Sequence, residues 1–154
     1  YHDKTPKSMV DPKDEKILAE LTRDAKQTSK QISNKTLIPI TTVHNRIKKL
    51  EKLGIIRNYT IQLDDKTLGT VSAYVMATVG NQFLKEKARD GKEIINAIRS
   101  HPNVEYVSML TGSFDIMLKV RVKSISDLDG FVTKHLRGVP GIERTQTMII
   151  LNEA

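Results

Sequence analysis

The sequence predicts an α+β protein in two parts: a helix-turn-helix domain of winged-helix-like type, then a ferredoxin-like βαββαβ domain. Three observations carry that prediction. Apolar residues recur at helical intervals as far as Leu50, and from Val71 they alternate with polar ones over strand-length runs. Strand and helix patterns then follow one another in the order βαββαβ. The formal charge of +7 is spread unevenly: residues 1–66 hold 14 Lys/Arg against 9 Asp/Glu, and residues 67–154 hold 11 against 9. A polyanionic partner is therefore expected for the first part.

Asp11-Pro12-Lys13-Asp14 has the chemistry of a helix start: an N-cap aspartate, proline at the first helical position, and acids in the first turn. Ile17, Leu18 and Leu21 follow at helical spacing. Thr28 and Gln31 stand at capping-box spacing and open a brief second helix with Ile32 as its main apolar residue. Leu37 and Ile38 fall in the connection, and Pro39 opens the third helix. There Ile40, Val43, Ile47 and Leu50 form one apolar stripe, with Glu51 toward the stripe side. Thr41, Thr42, Asn45, Lys48, Lys49 and Lys52 face the other way, with Arg46 on the flank and His44 also on this helix. A merely solvated face mixes both signs of charge, whereas this one holds cations, small hydroxyls and an amide. Lysine and arginine neutralise phosphates, and Asn, Thr and Arg reach base edges in the major groove. Three short helices with the polar, basic face on the third make a helix-turn-helix, and double-stranded DNA is the expected partner.

Other function classes find little support. No apolar run approaches the ~18–20 residues that span a bilayer, so no membrane partner is expected. Residues 1–10 hold no apolar h-region and are expected as a polar tail, not a signal peptide. The chain has no cysteine, which excludes disulfides, thiolate zinc sites and cysteine nucleophiles, and fits a cytoplasmic setting. His2, His44, His101 and His135 show no ligand spacing, and there is no phosphate-cradling glycine loop, nucleophile elbow or paired-carboxylate motif. No metal, cofactor, catalytic residue or enzymatic activity is expected.

At this point a family resemblance is carried by Asp11 to Leu18, Asp24-Ala25-Lys26, the run Thr42 to Ile56, Leu63-Asp64 and Leu68-Gly69. Together they resemble the leucine-responsive regulatory protein and asparagine-synthetase-activator family (Lrp/AsnC, or feast/famine regulators), over nearly the whole chain. Two positions depart from that family's pattern. Pro39 stands where a serine usually caps the recognition helix, and the turn reads Asn34-Lys35-Thr36-Leu37-Ile38 where the family often has glycine.

After Gly54, Tyr59, Ile61 and Leu63 alternate with polar residues and predict a strand, broken by Asp64-Asp65-Lys66. The expected organisation is a tail (1–10), the helix-turn-helix (11–57), a linker strand or hinge (58–70) and the second domain (71–154). In the second domain the strands are expected from Val71 to Val79, Val104 to Leu110, Phe114 to Val122 and Ile142 to Leu151. One helix contains Ile94, Ile95 and Ile98, reached through a lysine-rich loop within Gly80–Gly91; the other starts near Ser126 and Asp127 and runs through Leu128, Phe131, Val132 and Leu136. The resemblance implies that this is a RAM module (regulation of amino-acid metabolism), which pairs subunits face to face and often builds octamers from dimers. The apolar character of Tyr74 and Met76, on the outward side of the first strand, fits such pairing.

Thr111-Gly112-Ser113-Phe114-Asp115 matches the family's glycine-any-aromatic-aspartate turn. As a plain hairpin, Gly112 supplies positive φ and Asp115 caps backbone groups. An acid just inside an apolar strand also needs a partner, and the ammonium of an amino-acid effector would serve Asp115. Ser113, Thr145 and Thr147 are the candidate polar contacts, Met109 or Leu110 the apolar wall, and the N–H groups of the turn the carboxylate site. The resemblance places that pocket between subunits. The function expected is an oligomeric, sequence-specific transcription regulator modulated by an amino acid. The alternatives are a siroheme-decarboxylase-like enzyme subunit, which resembles the same family, and a chromatin-organising protein of low sequence preference.

Overall fold

The structure is a computed structural model that describes residues 9–81 and 91–152. The chain separates into two compact units, Tyr1–Gln62 and Leu63–Ala154. In the first, α1 spans Pro12–Arg23, α2 Ser29–Thr36 and α3 Ile40–Lys52. Both early helices start on reciprocal capping boxes, Asp11 with Asp14 and Thr28 with Gln31, each satisfying amide groups that a helix start leaves free. Ile17, Leu21, Ile32, Ile38 and Val43 make the core, with Ile47 and Ile56 packed alongside. The glycine-free turn is closed by Leu37, which takes the left-handed conformation (φ 58) as the C-cap of α2 and is 90% exposed. Pro39 stands at the N-cap of α3 and gives it no side-chain hydrogen bond. The described residues of this unit form no strand.

Two expectations fail here. Tyr59 to Leu63 alternate as a strand would, but the segment has no regular secondary structure, and Ile61 is 78% exposed. Among the described residues it pairs with no strand, and alternation alone does not make a sheet. The break at Asp64-Asp65-Lys66 is itself a short helix, α4 (Asp65–Leu68), capped by Asp64 and closed by Gly69 at φ 68.

The second unit follows with β1 (Val71–Val79), α5 (Lys92–Arg99), β2 (Val104–Met109), β3 (Ile116–Val122), α6 (Ile125–Gly130) and β4 (Ile142–Ile149). The α6 turns run on into a π-helical stretch, Phe131–Leu136. All pairings in the sheet are antiparallel and its order is β2-β3-β1-β4, the ferredoxin-like arrangement. The lysine-rich loop expected within 80–91 lies almost entirely outside the described residues. Ala73, Val75, Ala77 and Val79 share one face with Ile116, Leu118, Val120 and Val122, and that face is buried with Ile94, Ile98, Leu128, Phe131 and Leu136. The opposite face carries Tyr74, Met76, Met117, Lys119, Gln146 and Met148 in register. Met148 is 43% exposed, and Tyr106 at the β2 edge 52%.

Candidate nucleic-acid interface and effector turn

The apolar stripe of α3 fixes which side chains are left for a partner. Val43 and Leu50 are wholly buried, so the opposite arc holds Thr41, Asn45, Lys48 and Lys52, all exposed, with exposed His44 on one flank and half-buried Thr42 on the other. Among the described residues Lys48 and Lys52 make no ion pair.

Arg46 and Lys49 are placed differently from expectation. The Arg46 guanidinium pairs with Asp11 and, at 3.2 Å, with Asp14 Oδ1. Lys49 Nζ lies 3.2 Å from Asp14 Oδ2 and donates to the Met9 carbonyl at 3.1 Å. Asp14 is fully buried, and a buried carboxylate requires cations. The two side chains therefore clamp α3 to the start of α1. The Asp14 backbone N–H, then Arg46, holds the Asp11 carboxyl below its usual range, and the hydrogen bond to Asp11 raises the Arg46 pKa. Sequence spacing could not show this, because the partners lie 32 to 35 residues apart.

One further expectation for α3 is corrected. Ile40, placed on the apolar stripe by spacing, is 47% exposed, because it precedes the first residue of α3 that meets the core. Glu51 is exposed as well, and its Oε1 accepts from the Tyr59 hydroxyl at 2.7 Å. Burial, then that carboxylate, pushes the Tyr59 pKa up to about 12.

In the second unit the turn after β2 is closed by backbone bonds: Leu110 N–H donates to the Asp115 carbonyl and Asp115 N–H to the Ala77 carbonyl. Gly112 has φ 121 with open space where a Cβ would stand, so conformation alone favours glycine there. Thr111, Gly112 and Ser113 are exposed, Leu110 half-buried. Asp115 Oδ2 accepts the Val79 N–H at 2.8 Å, so this acid caps a backbone amide, as the plain hairpin reading expected, with its partner on β1.

Ile116, Ala77 and Thr145 stand in one row across β3, β1 and β4, and Thr147 stands opposite Val75. Both threonines thus belong to the helix-side face at the β4 edge. Arg137 donates to the Thr145 hydroxyl at 3.4 Å, a cation missed in the sequence because it follows the last turn of the helix. Met109 pairs with Ile116, and its side chain lies against Gly91. Turn and threonines occupy the same end of the sheet, about two strand spacings (~10 Å) apart.

At the opposite end of the sheet, where β2 begins, lies a cluster of histidines that sequence spacing did not bring together. His101, Phe131 and His135 meet edge-on or tilted, with ring centroids 4.4 to 5.4 Å apart; Phe131 and His135 belong to the π-helical turn. Burial, then the facing His135, lowers the His101 pKa. Among the described residues no group of three or more metal-ligating side chains occurs, and no helix is long and apolar enough to cross a membrane.

Comparison with known proteins agrees with both units. Residues 10–57 match a winged helix-turn-helix DNA-binding family model, and residues 72–154 match the Lrp/AsnC ligand binding domain. The HTH-type transcriptional regulator FL11 of Pyrococcus horikoshii is 32% identical over 143 residues, covering 92% of this chain and 89% of its own. Among solved structures, LrpC of B. subtilis has 29% identity and a TM-score of 0.70, covering 94% of this chain and 96% of its own. A transcriptional regulator of Neisseria meningitidis, solved in complex with L-Met, has 25% identity and a TM-score of 0.73 over 94% of this chain and 91% of its own. These relatives are regulators, and the decarboxylase alternative gains nothing from them. The chain belongs to the Lrp/AsnC family and is a DNA-binding transcriptional regulator with a ligand-binding domain.

Proposed function

We propose that the outward face of α3 reads a specific duplex sequence, with Thr41, Thr42, His44 and Asn45 at base edges and Lys48 and Lys52 on phosphates. Arg46 and Lys49 hold the helix in place. The observation that carries this reading is the division of α3's cations: two are tied to Asp14, and two stand exposed, with no ion pair among the described residues, beside exposed hydrogen-bonding groups. Two such helices must reach half-sites ~34 Å apart, which requires a dimer. The open sheet face, with Tyr74, Met76, Met117 and Met148, is the surface suited to pairing, and dimers assemble further. The test is selection of duplexes from a random pool, with the mass of the complex measured in solution. A recovered two-fold symmetric site bound by a dimer supports the reading, and random recovery would favour a low-specificity chromatin protein.

The effector is an amino acid, bound at the turn 110–115 with Thr145 and Thr147 of β4 nearby. The match to a ligand binding domain supports this, as does the L-Met complex of the Neisseria regulator. Asp115 Oδ2 is engaged by Val79 N–H, and the carboxylate keeps acceptor capacity at Oδ1 for an ammonium. Such a ligand acts only through its differential affinity for two assemblies that present the DNA-reading helices differently.

A further inference from the structure

We propose that Ile40 is a specificity-determining residue that packs against the C5-methyl group of a thymine. An apolar contact thereby sets part of the protein's sequence preference, beside the hydrogen bonds of Asn45 and Thr41. The inference rests on the assignment of α3 as the DNA-reading helix and deepens it. Ile40 is the first residue of α3 and is 47% exposed, whereas Val43 and Leu50 on the same spacing are wholly buried.

Ile40 is not an isolated surface aliphatic, which would need no explanation. Ile40 and His44 lie one turn apart, Thr41 and Asn45 likewise, so the four side chains border one patch of helix surface. With Ser29 at the start of α2 they line an open, mainly apolar hollow of about 370 Å³. All four belong to the first two turns of α3, the end of a recognition helix that contacts base edges. Exposed Lys48 and Lys52 continue the same face, so the surface around the hollow suits a polyanion. The major groove offers one apolar group, the thymine methyl, and an aliphatic wall rimmed by an amide and a hydroxyl is suited to an A·T pair. Leu37 is still more exposed, but it does not line the hollow, so it serves as the control.

The experiment uses the full chain and the tightest duplex it selects from a random pool. Each thymine is replaced in turn by deoxyuridine, which removes the methyl group and keeps every hydrogen-bonding group. For the unsubstituted protein, one such replacement per half-site is expected to weaken binding about fourfold, the worth of one buried methyl. With Ile40→Ala the two duplexes should bind alike, with Ile40→Val part of the difference should return, and with Leu37→Ala all of it should remain. If Ile40→Ala discriminates thymine from deoxyuridine as the parent does, or no thymine is methyl-sensitive, the proposal is overturned. Failure to select any duplex would instead overturn the DNA-reading assignment, and this inference with it.

Discussion

Asp14 decides what two of the four cations on α3 do. Fully buried, it needs both Arg46 and Lys49, and its side chain also closes the capping box with Asp11. Asp14→Ala is expected to destabilise the N-terminal unit by about 1–2 kcal/mol, the worth of a lost helix cap, because the partly exposed Arg46 and Lys49 can turn to water; thermal or urea unfolding checks this. Arg46→Ala should lower stability in the same assay. Neither it nor Lys49→Ala should change the salt dependence of DNA binding. Lys48→Ala should flatten that dependence by ~0.9 per lost phosphate contact while leaving the unfolding midpoint in place. At Asp115, Asn keeps an acceptor for Val79 N–H and removes the charge. Asp115→Asn should therefore abolish effector binding with little loss of stability.

His101 makes a pH prediction at the same scale. Its folded pKa lies below the usual 6.5, because burial and the facing His135 oppose a charge there. The unfolded chain then binds the proton more readily, so this contribution to stability is complete above pH 6.5 and falls as pH drops through it. Unfolding of the chain between pH 7.5 and 5 should show that loss, and His101→Gln should reduce it. An unchanged profile would show that His101 does not titrate differently in the folded state.

At the scale of elements, what was legible depended on how local the cause was. Asp11-Pro12 and Thr28 with Gln31 announced α1 and α2 because capping is written within four residues. The period-two runs likewise gave β1 and β3, whose alternating burial is visible in one strand. Tyr59 to Leu63 showed the same alternation without a partner strand among the described residues, and stayed irregular. The π-helical turn at Phe131–Leu136 has no sequence signature and emerges only from packing. Leu37 is a case between these. The missing glycine of the turn was noticed, but not that a leucine would take φ 58. That conformation costs a residue with a Cβ ~1–2 kcal/mol, so Leu37→Gly should raise stability by about 1 kcal/mol in equilibrium unfolding, where destabilisation would show that Leu37 makes a contact worth more than the strain.

On the scale of the whole molecule, the helix-turn-helix and the ferredoxin-like unit were both readable, since periodicity and element order are global properties of the sequence. The candidate DNA face was readable in outline. Thr41, His44, Asn45, Lys48 and Lys52 are exposed as the helical period requires, while the fates of Arg46 and Ile40 depended on tertiary contacts that no spacing encodes. For the effector turn, Gly112 was legible as a turn residue and Asp115 as a cap on backbone groups, but the identity of the capped amide, Val79, and the position of Arg137 against Thr145 were not. Assembly and effector meet in one prediction. An amino acid that binds the folded assembly alone, at 100 times its Kd, should add ~2.7 kcal/mol in thermal unfolding across a panel of the twenty, and a flat panel would count against an amino-acid effector.

The central claim, that the free face of α3 reads sequence, is tested most directly by equilibrium binding to a selected duplex and to a scrambled one, for the parent chain and Asn45→Ala. The account predicts a preference of ~10³-fold or more for the selected duplex. It also predicts that Asn45→Ala removes ~1–3 kcal/mol of that preference while affinity for the scrambled duplex stays the same. Equal weakening on both duplexes, or a parent preference near one, would contradict it.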